Sequence, residues 1–339
     1  MASPAHPHPV LLVGSVPLGS ATAVFTAVAE TLGGLAPRIP DGETGERLGW
    51  IAWTRDHLRK LPTLEAIGRR GEPGPRFRLK SATSDVDLGP LQYAPAAIES
   101  YAQFRALKAQ GRIPAATRFQ VSLPTPFGIV FGLFPDSDLA TIWRLYEKRM
   151  LAEIVAITEA VPAKELALQW DIAVETIAVL EDPGNKQGIT AEAVAASIAQ
   201  LSSQIPTGVE LGLHICYGDR DHHHFIEPKD LGVAVAFANR LFGLIQRPIG
   251  WIHVPVPKER DDEAYFAPLD NLRLRDGTQL YLGLVHLGDG IAGARRRMTA
   301  AGRFVKDYGI ATECGLGRRP AETIPALLAL HRDAATLEA

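Results

Sequence analysis

Apolar residues in this chain come mainly in short runs that close on polar or glycine-rich residues, most of them followed by a longer stretch with helical spacing. Eight runs stand out: PVLLVGS (9–15), APRIPDG (36–42), TRFQVSL (117–123), ELALQWD (165–171), VELGLHIC (209–216), IGWIHVP (249–255), LYLGLVH (280–286) and GIATEC (309–314). Runs this short and this apolar read as strands buried on both faces. Between the third and fourth, Ser137 to Val161 carries Leu139, Ile142, Trp143, Tyr146, Met150, Ile154 and Ile157. That spacing predicts one long amphipathic helix. Thr190 and Asp230 stand ahead of AEAVAASIAQL and LGVAVAFANRLFGL as predicted N-caps, since a side-chain oxygen there can accept an unpaired first-turn N–H.

Strand followed by helix, repeated to eight, predicts an α/β chain folded as a (β/α)8 barrel, the TIM-barrel architecture. The second connection, about residues 43–116, is too long for one helix and is expected to add elements over the barrel mouth. No low-complexity segment or linker interrupts the chain. Residues 1–339 are therefore expected to form a single domain.

Composition narrows the function classes. Hydrophobic residues make up 46%, charged residues 22%, and the net charge is −3, which gives no basic field for nucleic acid. No apolar run approaches the roughly 20 residues that span a bilayer, so no membrane partner is expected. The opening MASPAHPHP lacks the charged start and apolar core of a secretory signal, so a cytoplasmic location is expected. The two cysteines, Cys216 and Cys314, are then expected as free or metal-bound thiols more than as a disulfide. The composition is compatible with an oligomer.

In a barrel the C-terminal strand ends form the active face, and polar residues gather there. Ser15 closes the first run, Asp41 and Glu43 follow the second, and Asp171 and Glu175 follow the fourth. His214 and Cys216 end the fifth, His253 lies in the sixth, His286 and Asp289 follow the seventh, and Cys314 ends the eighth. The stretch LHICYGDRDHHHF, Leu213 to Phe225, packs four histidines and a cysteine together. On a strand, residues two apart share a face, so His214 and Cys216 can converge while Ile215 points away. With Cys314 they offer one imidazole and two thiolates, a donor set suited to zinc. The other readings are a different metal such as iron, or two buried thiols and a core histidine acting as packing. His222, His223 and His224 are expected in the loop after the fifth strand, near substrate more than on the metal.

Asp171 ends an apolar strand, where a carboxylate is costly to bury without a partner or a role. It is either catalytic or paired with an arginine such as Arg47. Glu175 reads equally as a substrate contact or a helix-start residue. The charged runs DGETGER and VPKERDDEAYF are solvated loops or rim contacts, and GDGIAG ahead of ARRR offers backbone N–H groups to an anion.

These residues resemble the cobalamin-independent methionine synthase superfamily, which also holds uroporphyrinogen decarboxylase and coenzyme M methyltransferases. His214-x-Cys216 in LHICYGD looks like the first two zinc ligands of that family, and Cys314 in TECGLGR looks like its late zinc cysteine. LQWD resembles the family's Q-x-D segment, with Asp171 as the catalytic carboxylate, and GSVPLGS resembles its opening G-S-x-P strand. EPKD and VPVPKERDDEAYF look most like single-barrel, methionine-synthase-like relatives.

The resemblance implies a zinc-dependent enzyme that transfers a methyl group to a small thiol, from a donor of the folate or corrinoid kind. Asp171 and His286 are the expected catalytic groups. Ser15, Asp41, Glu43, Glu175, His253 and Asp289 are the expected substrate contacts. The family's glutamate ligand belongs near the end of strand six, where WIHVPVPKER has none and His253 stands nearest. The folate contacts of the synthase's second barrel have no counterpart at this length. The alternatives are a zinc hydrolase or lyase acting on a small acid, and a thiol-binding protein without turnover.

Overall fold

The computed structural model describes residues 7–68, 74–81, 86–175, 189–218 and 226–337, and the backbone alone of 219–220 and 223–224. Eight parallel strands form one sheet: β1 Val10–Leu11, β2 Arg38–Pro40, β3 Arg118–Pro124, β4 Leu166–Ile172, β5 Glu210–Ile215, β6 Trp251–Pro255, β7 Gln279–Gly283 and β8 Gly309–Ala311. Each pairs with its sequence neighbour from β2 through to β8, and β8 pairs with β1. Helices run between them, so the fold is the (β/α)8 barrel expected from the runs.

One seam is closed differently. Among the described residues no ladder joins β1 to β2, and the ends are tied by Val16 N–H to Gly42 O at 2.8 Å. From β3, Gln120 Nε2 reaches across to donate to Leu12 O and Val13 O at 3.0 and 3.1 Å. A side chain thus does the bonding that a longer β1 would have done.

The strands are buried on both faces, as a sheet covered by helices must be. Register then sorts the inward residues into rows. Gln169, Gly212 and Trp251 lie side by side on β4, β5 and β6, and two residues further along Asp171, His214 and His253 do the same. The lower row is sealed by bulk, because Trp251 lies across Gly212 so closely that a Cβ there would sit 1.8 Å from the indole. Below it, the buried Arg38 guanidinium stacks on Trp251 at 4.1 Å and donates to Glu210 Oε1 at 2.5 Å. The barrel is filled at its N-terminal end, and the polar row lies at the C-terminal end.

The long helix spans Asp136–Ala160 and buries Leu139, Ile142, Tyr146, Met150, Ile154 and Ile157 at spacings of three and four. Thr190 caps Ala191–Ser203, its Oγ1 accepting from Ala193 N at 3.1 Å. Asp230 is corrected by one position. The helix is Gly232–Leu244 with Leu231 at the cap, yet Asp230 Oδ1 still accepts from Gly232 N at 2.7 Å. The second connection holds helix Trp50–Arg59, an antiparallel hairpin of Leu64–Ile67 with Arg76–Leu79, and helix Tyr93–Ala109. Glu153 on the long helix anchors it, accepting from Leu91 N and Ala94 N at 2.6 Å each. No helix among the described residues is long and apolar enough to cross a membrane.

Candidate metal centre

His214 comes from within β5, Cys216 from one residue beyond it, and Cys314 from the turn after β8. Cys216 N still donates to Ile172 O at 2.8 Å, so the strand pairing holds the cysteine in place after the ladder ends. At β8, Thr312 Oγ1 donates to Cys314 O at 2.8 Å and Leu316 N donates to Ser15 O at 2.7 Å, folding the turn back towards β1. Gly315 packs against Ser15, where an added Cβ would lie 2.8 Å from Ser15 Oγ and move that hydroxyl.

The ligand atoms of His214, Cys216 and Cys314 lie within 4.8 Å of one another. Cys216 Sγ is 3.9 Å from Cys314 Sγ, and Cys314 Sγ is 4.0 Å from His214 Nε2. A tetrahedral ion with Zn–S near 2.3 Å holds two sulfurs about 3.8 Å apart. The residues present fit a zinc ion with little movement. The thiol of Cys314 is held well below its usual range, first by the hydrogen bond from Cys216, with burial opposing it, then by His214 and Arg318. A lowered thiol favours the thiolate that a metal needs.

Behind the cluster, His214 Nδ1 lies 2.8 Å from His253 Nδ1, and His253 Nε2 lies 3.0 Å from Thr312 O. His253 is fully buried. Burial drives its pKa well down, and His214 adds to this against the hydrogen bond to Thr312.

In front are partly exposed groups: Cys314, Asp171, Glu43 and Ser15. Asp171 Oδ1 accepts from Gln169 Nε2 at 2.7 Å. Its pKa is raised to about 6, by burial first, against the pull of His214 and Gln169, with Cys314 raising it further. Glu43 is raised to about 8 by burial and then by Asp171, with Arg47 and a hydrogen bond to Ser15 opposing. These two carboxyls stand close enough to feel each other's charge, and near neutral pH they hold about one proton between them.

Glu43 sits at φ 49°, in the left-handed region, which costs a residue with a Cβ on the order of 1 kcal/mol. Asp41 holds it there: its carboxylate accepts from Glu43 N at 2.9 Å, from Arg47 at 2.6 Å and from Ser100 Oγ at 2.8 Å. Arg47 is thus the partner of Asp41, and the pairing with Asp171 considered from sequence does not form.

The other sequence-derived residues are spread around the rim. Glu175 is fully buried, accepts from Thr125 Oγ1, and has its pKa raised to about 7 by burial against that hydrogen bond. His286 is buried with Nε2 at 2.8 Å from Val256 O, and burial lowers its pKa against the nearby Glu313. Asp289 is gripped by Arg297, whose Nη1 and Nη2 donate to its two oxygens at 2.7 and 2.9 Å. Arg297 also donates to Leu284 O and Lys258 O, so this pair ties two rim loops together at the start of the GDGIAG helix. His222 lies outside the described residues, as do the side chains of His223 and His224. Sequence reasoning missed Thr312 as a partner of the site, its only signal being a polar residue two positions before Cys314; Gln169 stood in the Q-x-D segment, and the structure gives it the hydrogen bond to Asp171.

No family model matches the sequence, and no curated protein is similar enough to match it. Solved structures do match. One, from Listeria monocytogenes, is described as a candidate vitamin-B12-independent methionine synthase. It is 15% identical, with a TM-score of 0.58 over 98% of this chain and 99% of that one. Another is a B12-independent methionine synthase from Shewanella sp. W3-18-1 in complex with selenomethionine, also 15% identical, with a TM-score of 0.60 over 98% of this chain and 97% of that one. The chain shares their fold from end to end.

Proposed function

We propose that this chain is a zinc-dependent methyltransferase-like enzyme, a single-domain barrel acting in the cytoplasm, that activates a small thiol for alkyl transfer. The observation that carries the reading is the convergence of His214, Cys216 and Cys314 within 4.8 Å beside an acidic pair. When bound, zinc supplies Lewis acidity that makes a coordinated thiol ionise near neutral pH. The two protein cysteines are free, as a reducing compartment would keep them.

The chain's own groups do the rest. Three protein donors leave room for one exchangeable ligand, which is the pattern of catalytic zinc sites. Asp171, with its pKa near 6, is ionised at neutral pH and accepts a proton or holds a cationic group of the substrate. Glu43, near 8, is protonated and donates to the departing methyl donor. In the transfer, the thiol sulfur forms a bond to the methyl carbon, and the donor leaves with the electron pair of its own bond to that carbon and takes up the proton. Ser15 orients Glu43 through their hydrogen bond. Selenomethionine, the ligand of the Shewanella structure, is an amino acid with a methylated chalcogen. That is the product class of methyl transfer to a thiol amino acid, and it supports homocysteine-like thiols as the first substrates to try.

Calorimetry of thiol binding to the zinc protein, in two buffers of different ionisation enthalpy, tests the reading. Release of about one proton per thiol near neutral pH is the expected result. Binding without proton release, or no binding by any small thiol, would reject thiol activation and leave the hydrolase, lyase or structural-zinc alternatives.

A further inference from the structure

His253 and His214 meet at Nδ1 to Nδ1, a contact that admits only one proton between them. The carbonyl of Thr312 can only accept, so His253 Nε2, 3.0 Å away, carries a proton. A neutral imidazole has one N–H, which leaves His253 Nδ1 bare and able to receive the N–H of His214 Nδ1. His214 keeps its Nδ1 proton in this contact and offers Nε2, the atom that faces Cys314 Sγ, to a metal; without one, the same Nε2 can donate to that sulfur. The opposite order would require a cationic His253 in a fully buried position, and it would put a proton on His214 Nε2, the atom a metal must use.

The geometry is set by the barrel itself. His214 and His253 are register partners on adjacent strands, and their rings are tilted at 44° with centroids 4.8 Å apart. Thr312 lies just past the last residue of β8, Ala311, where its carbonyl is turned to the barrel interior. The relay therefore runs from the end of β8, through β6, to β5, joining the two elements that carry the cysteines.

We infer that His253 is the positioning residue of the centre: it accepts the hydrogen bond of the His214 Nδ1–H, locks that ring, and directs its Nε2 at the metal position beside Cys216 and Cys314. This deepens the zinc reading, and its consequence for metal affinity rests on that reading. The hydrogen-bond order itself does not. Outer partners of this kind change metal affinity by about 10–100-fold when removed.

Two measurements test it. In protein labelled with nitrogen-15 at histidine, a scalar coupling should join the two Nδ1 atoms, with the shared proton on His214 and a second proton on His253 Nε2. Zinc competition against a chelator should show His253→Leu weakened by about 10–100-fold. His253→Gln should recover most of the affinity, because its amide can accept from His214 and donate to Thr312 O. A proton found on His253 Nδ1, or no coupling between the rings, overturns the inference, as does equal zinc affinity in wild type and His253→Leu. If the wild-type protein takes up no zinc, the metal reading falls and the coupling alone decides the relay; the same holds if His253→Leu does not fold.

Discussion

Cys216 Sγ and Cys314 Sγ lie 3.9 Å apart, although 98 residues and three further strands separate them along the chain. The barrel brings them together by closing β8 onto β1, and neither thiol is in a disulfide. With His214 they are expected to hold about one zinc per chain. Cys314→Ser should lose most of that zinc while keeping the wild-type circular dichroism, since the core is packed independently of the cysteine. Full zinc content in the variant, measured by elemental analysis, would contradict the assignment.

Glu43 gives a pH signature. Its carboxyl is raised from 4.5 to about 8 by burial, then by Asp171, so the folded state holds a proton that the unfolded chain releases earlier. The sign is that of a group whose stabilising effect is complete below about pH 4.5 and is lost progressively as the pH rises towards 8. Glu43→Gln removes a titrating group and should flatten this fall. Urea midpoints at about pH 5.5 and about pH 8 should diverge between the two proteins; parallel midpoints would remove the carboxyl pair from the account.

Glu153 should matter for the fold and leave the metal alone. Both its oxygens accept backbone N–H groups, from Leu91 and Ala94, in a buried setting. Glu153→Ala leaves two buried donors unpaired and should cost about 2–4 kcal/mol, read from denaturant midpoints, with zinc content unchanged. A neutral outcome would mean the second connection is anchored elsewhere.

Gly212 links packing to the site. It is two residues before His214, and the Trp251 indole occupies the space of its Cβ. Gly212→Ala should destabilise by about 1–3 kcal/mol and, by pushing β5 from β6, weaken zinc binding as well. A stable variant with wild-type zinc affinity would show that the row tolerates displacement.

Much of this was legible in the sequence because both-face burial writes strands as continuous apolar runs. All eight runs fall on the observed strands, with β3 and β4 ending one residue later and β7 starting one residue earlier than the runs, and the H-x-C pair reads directly as one face of β5 and its extension. The relay was not legible. His253 looks like a ligand or a substrate contact in WIHVP, and only the register between β5 and β6, with the carbonyl of Thr312 arriving from β8, gives it partners on both ring nitrogens. Arg47 was similarly open. A charged residue in a loop can reach several carboxylates, and the turn that puts Glu43 at positive φ is what delivers Arg47 to Asp41. Local pattern carries the strands; pairings across the rim depend on how the loops fold back over it.

The central claim, a zinc ion with one position open to a thiol, is tested most directly by X-ray absorption at the zinc edge, before and after adding homocysteine. The account predicts about two Zn–S contacts near 2.3 Å in the free protein and a third in the presence of the thiol, with one nitrogen retained. An unchanged sulfur count on addition of the thiol, or a first shell already closed by four protein ligands, would contradict it.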